Sequence, residues 1–218
     1  MRKRFTLSLC LLFVSATLVF GQVLPKESLK TVYISRTLPN APVTIIRVLY
    51  QGKQVEPGMP FEAGDNWLRG VSVVLKNVSP SDVVLINIFG DVPETGAGTT
   101  GSPRVPVANG VGRKPEVAMY SPLTGQRKSE DASEPINLEP GKELTIPLLS
   151  KEYYEDFDSL VTAKQPLSSI TKCEISVATV YFSDGTKWAH GYWEPDASTP
   201  GRYKPISSDD WQGKHKVR

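Results

Sequence analysis

Two histidines, His190 and His215, two cysteines, Cys10 and Cys173, and a scatter of carboxylates are the chain's main resources for chemistry. Nucleophilic catalysis of the Ser-His-Asp kind needs a base positioned beside an activated serine. His190 is the one base that falls inside a strand pattern, and no G-x-S-x-G elbow accompanies it. A zinc site draws on several His or Cys ligands, which this sequence does not group. Carboxylates cluster at Glu152, Glu155, Asp156 and Asp158, and again at Asp209-Asp210. The EF-hand pattern is absent, and charge on the outer face of an amphipathic helix accounts for the first cluster. Glycoside hydrolysis needs two carboxylates flanking a cleft. Spacing alone cannot place such a pair, so a carboxylate-based hydrolase, with or without His190, stays an alternative.

The run Gly96-Ala97-Gly98-Thr99-Thr100-Gly101 spells a dinucleotide fingerprint by letters. That fingerprint works only when the turn opens a helix whose N-terminus holds the pyrophosphate. Pro103 and Pro106 follow instead, with no helical period, so the run reads as a loop. No catalytic residue, metal ligand set or cofactor is assigned.

Aromatic residues give the clearest candidate site. Trp188, Tyr192, Trp193 and Tyr203 crowd the C-terminal part, with His190 among them and Trp211 beyond. Residues two apart in a strand share a face, so Trp188, His190 and Tyr192 are expected on one side and Trp193 on the other. Such rings stack on sugars or anchor protein interfaces. They also close the end of a β-fold with a tail packed across them, which large aromatics in strands commonly do.

These residues must be carried by strands. Thr31–Thr37, Val43–Tyr50, Leu68–Lys76, Val83–Phe89, Glu143–Leu149, Lys172–Phe182 and Thr186–Trp193 are rich in β-branched and apolar residues. Asp184-Gly185 is a hairpin turn between the last two. Tyr153, Phe157, Leu160 and Val161 fall at helical spacing behind Ser150, a candidate cap. Residues 91–134 hold six Gly and five Pro in 44 residues. That length exceeds an ordinary connection, so the segment is a flexible insertion or hides short strands. Val117–Tyr120 is the best candidate strand there, and Asn109-Gly110 a candidate turn. From Glu194 the chain reads as an extended surface tail.

The first residues read as a secretory signal peptide. Arg2, Lys3 and Arg4 precede an apolar run from Phe5 to Phe20, and Val19-Phe20-Gly21 precedes a cleavage point at Gln22. Cleavage after Val14-Ser15-Ala16 is the second choice. A spanning helix needs about 20 mostly apolar residues; this run has 16, with polar interruptions. Cys10 follows leucine, which a lipobox does not use. The whole chain has 25 basic and 23 acidic residues. Without residues 1–21 the balance becomes 22 against 23, which leaves no field to attract nucleic acid or anionic membrane. Cys173 then stands alone in an apolar strand, where a buried, inert thiol is expected. Asn77-Val78-Ser79 matches a glycosylation acceptor, but a turn accounts for it.

The stretch VVLKNVSPSDVVLINI (Val73–Ile88) resembles paired strands of secreted bacterial immunoglobulin-like or fibronectin-like modules. LEPGKELTIPL (Leu138–Leu148) resembles a later strand of such modules, entered through a Pro-Gly turn. FSDGTKWAHGYW followed by EPDASTPGRY (Phe182–Tyr203) is similar to the endings of uncharacterised secreted bacterial proteins. Antibody-type domains differ in their paired cysteines and in lacking the 91–134 segment. With roughly seven strands and no βαβ alternation, the expected fold is mainly β. It is a single antiparallel immunoglobulin-like β-sandwich with one short helix and a long Gly/Pro-rich insertion. The expected organisation is a signal peptide at 1–21, a sandwich at 22–193 and a tail at 194–218. The expected role is non-enzymatic binding or assembly outside the cytoplasm, with a protein or glycan partner, no nucleic acid, and no membrane span once the leader is removed. A carbohydrate-binding module using Trp188, Tyr192 and Trp193 is the more specific form of that role.

Overall fold

The computed structural model describes residues 28–36, 38, 40–96, 106–115, 136–163 and 165–215. The leader, Ala97–Gly101 and Val117–Tyr120 lie outside the described residues. The strands in chain order are β1 (Ser28–Ile34), β2 (Val43–Tyr50), β3 (Lys53–Val55), β4 (Phe61–Ala63), β5 (Val71–Asn77) and β6 (Val83–Asp91). They continue with β7 (Pro106–Gly112), β8 (Glu143–Pro147), β9 (Lys172–Phe182), β10 (Lys187–Trp188), β11 (Tyr192–Pro195) and β12 (Tyr203–Ile206). Among the described residues two α-helices join them, α1 (Tyr154–Thr162) and α2 (Ser208–His215). The chain is mainly β, in two sheets.

Alternation builds the smaller sheet, of order β3-β2-β5-β8. In β5, Val71, Val73 and Leu75 are fully buried, as one face of a strand should be when it covers a core. In the larger sheet β9 is the hub. It pairs with β6 along one edge, and β6 pairs with β7. Its other edge pairs first with β1 and then with β10, which continues through β11 to β12. Both sheets contribute to one apolar core, which includes Val32, Val48, Leu75, Ile88, Ile146 and Ile175.

Several expectations change at this level. The β1–β9 pair is parallel, so the larger sheet is mixed rather than antiparallel throughout. Residue pattern reports which face is buried and says nothing of strand direction. Asn109-Gly110 is not a turn; both residues sit inside β7, opposite Ile88 and Asn87. Gly112 is required there by close approach: its φ is +104°, and a Cβ would collide with the Val84 carbonyl. Within 91–134, the described residues therefore include a paired strand. Ser150 makes no side-chain cap, because a 3-10 turn (Lys151–Tyr153) precedes α1. Leu160 is exposed, whereas Phe157 and Val161 are buried.

Thr186–Trp193 is not one strand. It folds back at Ala189–Gly191, where His190 takes φ +56° and Trp188 comes to face Tyr192. Nor is the segment after Glu194 an extended tail. β12 pairs with β11, and α2 carries the fully buried Trp211. Ser207 begins α2 with a reciprocal cap: its Oγ accepts from the Asp210 N–H (3.1 Å) and donates to the Asp210 carboxylate (2.6 Å). Among the described residues, no helix is long and apolar enough to cross a membrane.

Candidate functional site

The five aromatic-end residues divide between two faces. Trp188 and Tyr192 point inward and are 3% and 6% exposed. Trp193 and Tyr203 line the outer face with Lys187, whose ammonium lies 4.1 Å from the Tyr203 ring centre and 5.9 Å from that of Trp193. Desolvation lowers the Lys187 pKa, and Lys114 lowers it further. The Tyr203 phenol donates to the Gly185 carbonyl (3.2 Å), and burial raises its pKa. A shallow depression of about 350 Å³ lies here, bordered also by Arg202. Trp193 thus lies on the other side from Trp188 and Tyr192, and the three rings named for a sugar-binding module do not share one surface.

What Trp188 and His190 do share is a cleft of about 330 Å³ between the two sheets. Its walls come from three directions. The end of β1 and the loop after it supply Ile34, Ser35, Arg36 and Leu38, and β2 supplies Val43, Thr44 and Ile45. Ser176, Val177 and Ala178 of β9 line it, with Phe89 of β6. Trp188 closes the deep end, and His190 stands exposed at the rim, its ring stacked on the indole at 6.3 Å and 22°. Cavities of this size with apolar walls and a few polar groups are typical of ligand sites.

Two β-bulges explain why a cleft opens there. In β9, Val177 faces Ile88 and Thr179 faces Asn87, so Ala178 has no partner in β6. In β2, Ile45 faces Leu75 and Arg47 faces Val74, so Ile46 is skipped. A bulge bends its strand and re-aims side chains. Tyr192 positions the outer wall: its phenol donates to the Asn40 carbonyl (2.9 Å) of the β1–β2 loop. Burial pushes this phenol up to about 12, so it stays a donor at neutral pH.

The cleft's polar groups are Ser35, Arg36, Thr44, Ser176 and His190, with no carboxylate among its lining. Arg36 is exposed and makes no ion pair or hydrogen bond among the described residues. The carboxylates lie elsewhere. Asp158 is paired with Arg69. Glu194, Asp209 and Asp210 border an open groove in which Lys214 and Lys204 bridge to Glu194 and hold it below the usual carboxylate range. Among the described residues, no three His, Cys, Asp or Glu side chains are grouped to hold a metal.

His215 faces Asp184 through Nε2 (2.8 Å) and the Trp211 carbonyl through Nδ1 (2.7 Å), so it clamps α2 to the β9–β10 turn. Cys173 is fully buried against Gly90, and burial raises its thiol pKa far above the ordinary value, reinforced by Asp91, Glu94 and Glu174. Dithionitrobenzoate is therefore expected to leave Cys173 untouched in the native protein and to label it after denaturation. Rapid native labelling at neutral pH would contradict this burial. Asn77 is fully buried with both side-chain hydrogens donated, so the folded chain does not present it to a glycan.

Ser35, Arg36 and Ser176–Ala178 were not singled out by sequence reasoning. Arg36 in a short polar loop and Ala178 in an apolar strand have no distinguishing local pattern.

A scan against protein-family models finds none that matches this chain. No curated protein matches either. Among solved structures, a hypothetical protein from Peptoclostridium difficile 630 aligns with 81% of this chain and 99% of its own. The two are 11% identical, with a TM-score of 0.33.

Proposed function

We propose that this is an exported, non-enzymatic, immunoglobulin-like β-sandwich that binds a ligand in the cleft between β1, β2 and β9. The cleft itself carries this reading: about 330 Å³ of apolar space, walled by Trp188 and rimmed by an uncommitted Arg36 and an exposed His190. Two packed layers that splay at paired bulges create a site without loops having to build one. The basic leader supports export. The cleft's polar groups suit recognition of an amphipathic, anionic ligand better than hydrolysis, since no carboxylate lines it.

A glycan on the outer face is the second reading, favoured by the depression beside Trp193 and Tyr203. Lys187 already lies over both of those rings. A stacking sugar would have to displace it, so the inner cleft is the stronger site.

An anionic fluorophore with an apolar body, anilinonaphthalene sulfonate, tests the cleft directly. Its emission is expected to rise saturably with the native protein. Ala178→Phe, which fills the cleft, is expected to abolish the rise. Arg36→Glu, in the exposed loop, is expected to weaken binding about tenfold or more, the scale of one lost charge-assisted hydrogen bond. Equal binding by all three proteins would remove the cleft as the site.

A further inference from the structure

The cleft lies at a gap in the larger sheet. Along one edge of β9, pairing with β1 ends at Ile34 opposite Ile175, where the Ser35 N–H donates to the Ile175 carbonyl (2.8 Å). Pairing with β10 begins only at Trp188 opposite Val180. Ser176–Thr179 therefore have no strand partner on that edge among the described residues, and bulged Ala178 has none in β6 either. These four residues are half-buried, and Ser176–Ala178 line the cleft. Main-chain N–H and C=O groups in such a place need partners. A purely apolar ligand would leave them unmet, at a desolvation cost. Another main chain would satisfy them.

Resting on the reading of this cleft as the binding site, we propose that it receives the free C-terminal end of an extended peptide. The peptide pairs with β9 over Ser176–Thr179 and sets its carboxylate against Arg36. From Ile175 to Val180 the gap is about 16 Å at about 3.3 Å per residue, enough for a three- or four-residue segment.

Charge decides the direction. β10 runs antiparallel to β9 and ends at Trp188, while β1 runs parallel to β9 and ends beside Ser35 and Arg36. A segment entering past exposed His190 and continuing the direction of β10 runs antiparallel to β9. Its C-terminus then arrives at Arg36. The opposite direction would bring an ammonium to that guanidinium. Alternate side chains of the segment point between the sheets, toward Val43, Ile45 and Trp188, so apolar residues are favoured at those positions.

The test is an array of hexapeptides anchored by their N-termini and randomised over the last four residues, probed with the labelled mature protein. The best sequence is then made as free acid and as amide for anisotropy titration. The free acid is expected to bind about tenfold or more tightly than the amide, as a charge-assisted pair requires. Arg36→Gln is expected to erase that difference while leaving the fold's melting temperature unchanged. Hydrogen exchange is expected to show gap-facing amides among Ser176–Thr179 exchanging fast in the free protein and slowing with the peptide.

Equal binding of acid and amide would overturn the proposal, as would amides already protected in the free protein, because the edge would then be paired by the chain itself. Binding of decanoate or the fluorophore in the cleft, with no peptide of the array binding there, would sink the peptide inference and leave the cleft standing. Failure of every probe would sink both.

Discussion

Trp211→Ala is expected to destabilise the protein by about 3–5 kcal/mol, the range for removing a large buried aromatic. Nothing in its sequence neighbourhood announces that weight, since the surrounding residues of α2 are polar. Its indole is nonetheless fully buried. It stacks on Tyr192 at 4.3 Å and on His215 at 4.4 Å, and lies 4.6 Å from Phe182. Its Nε1–H donates to Thr186 Oγ1 (2.9 Å), and that hydroxyl donates in turn to Asp184 Oδ1 (2.7 Å). The other Asp184 oxygen meets His215, whose second nitrogen returns to the Trp211 carbonyl. The substitution thus empties a cavity beside Phe182 and also opens a closed hydrogen-bond ring that ties α2 to the β9–β10 turn. Urea unfolding measures the loss. A cost below about 1 kcal/mol, the scale of a surface change, would mean that α2 is not part of the cooperative fold. Because Tyr192 holds the outer wall of the cleft through Asn40, the same variant is expected to weaken fluorophore binding.

Asn77→Ala is expected to cost about 2–4 kcal/mol, because it orphans several buried polar groups at once. The side chain is fully buried at the end of β5. Its amide donates to the Ser81 and Leu138 carbonyls, both at 2.8 Å. Its carbonyl accepts from the Ser79 N–H (2.9 Å) and hydroxyl (2.6 Å). One side chain therefore folds the β5–β6 turn and ties it to the strand bridge at Leu138. Asn77→Asp is expected to be at least as damaging, since it aims a carboxylate at two carbonyl oxygens. Ser79→Ala removes fewer partners and is expected to cost less. Similar stability for Asn77→Ala and Ser79→Ala would show that the network is dispensable.

Strands with long β-branched runs were legible in the sequence. Val43–Tyr50 and Lys172–Phe182 begin and end where their residues indicate, and Asp184-Gly185 makes its turn, with Gly185 at φ +88° and Asp184 accepting from Thr186. Strand β7 was obscured, since Pro106, Gly110 and Gly112 are turn residues by type. Close packing requires small residues there: Cβ atoms at Gly110 and Gly112 would overlap the Asn87 side chain and the Val84 backbone. Helix α2 has one apolar residue in its eight, so periodicity is silent; the Ser207–Asp210 cap was the available signal. The hairpin at His190 was missed because Ala-His-Gly is a weaker turn signature than Asp-Gly.

Of the candidate site, the sequence pointed to Trp188 and His190 on one face and set Trp193 on the other, but it offered Trp188, Tyr192 and Trp193 together as one sugar-binding set and gave no sign that Trp188 and His190 share a cleft. The gap at Ser176–Thr179 was not legible at all. It exists because β1 stops and β10 starts at different points along one strand, which is a property of the tertiary register.

Backbone amide shift mapping in solution, with the fluorophore or the best peptide added, tests the binding cleft most directly. The perturbed residues are expected to be Ile34–Arg36, Ser176–Thr179 and Trp188–His190, with Lys187, Trp193 and Tyr203 unmoved. Shifts centred on Trp193, Arg202 and Tyr203, with the amides of Ser176–Thr179 unchanged, would contradict the cleft and move the site to the outer aromatic face.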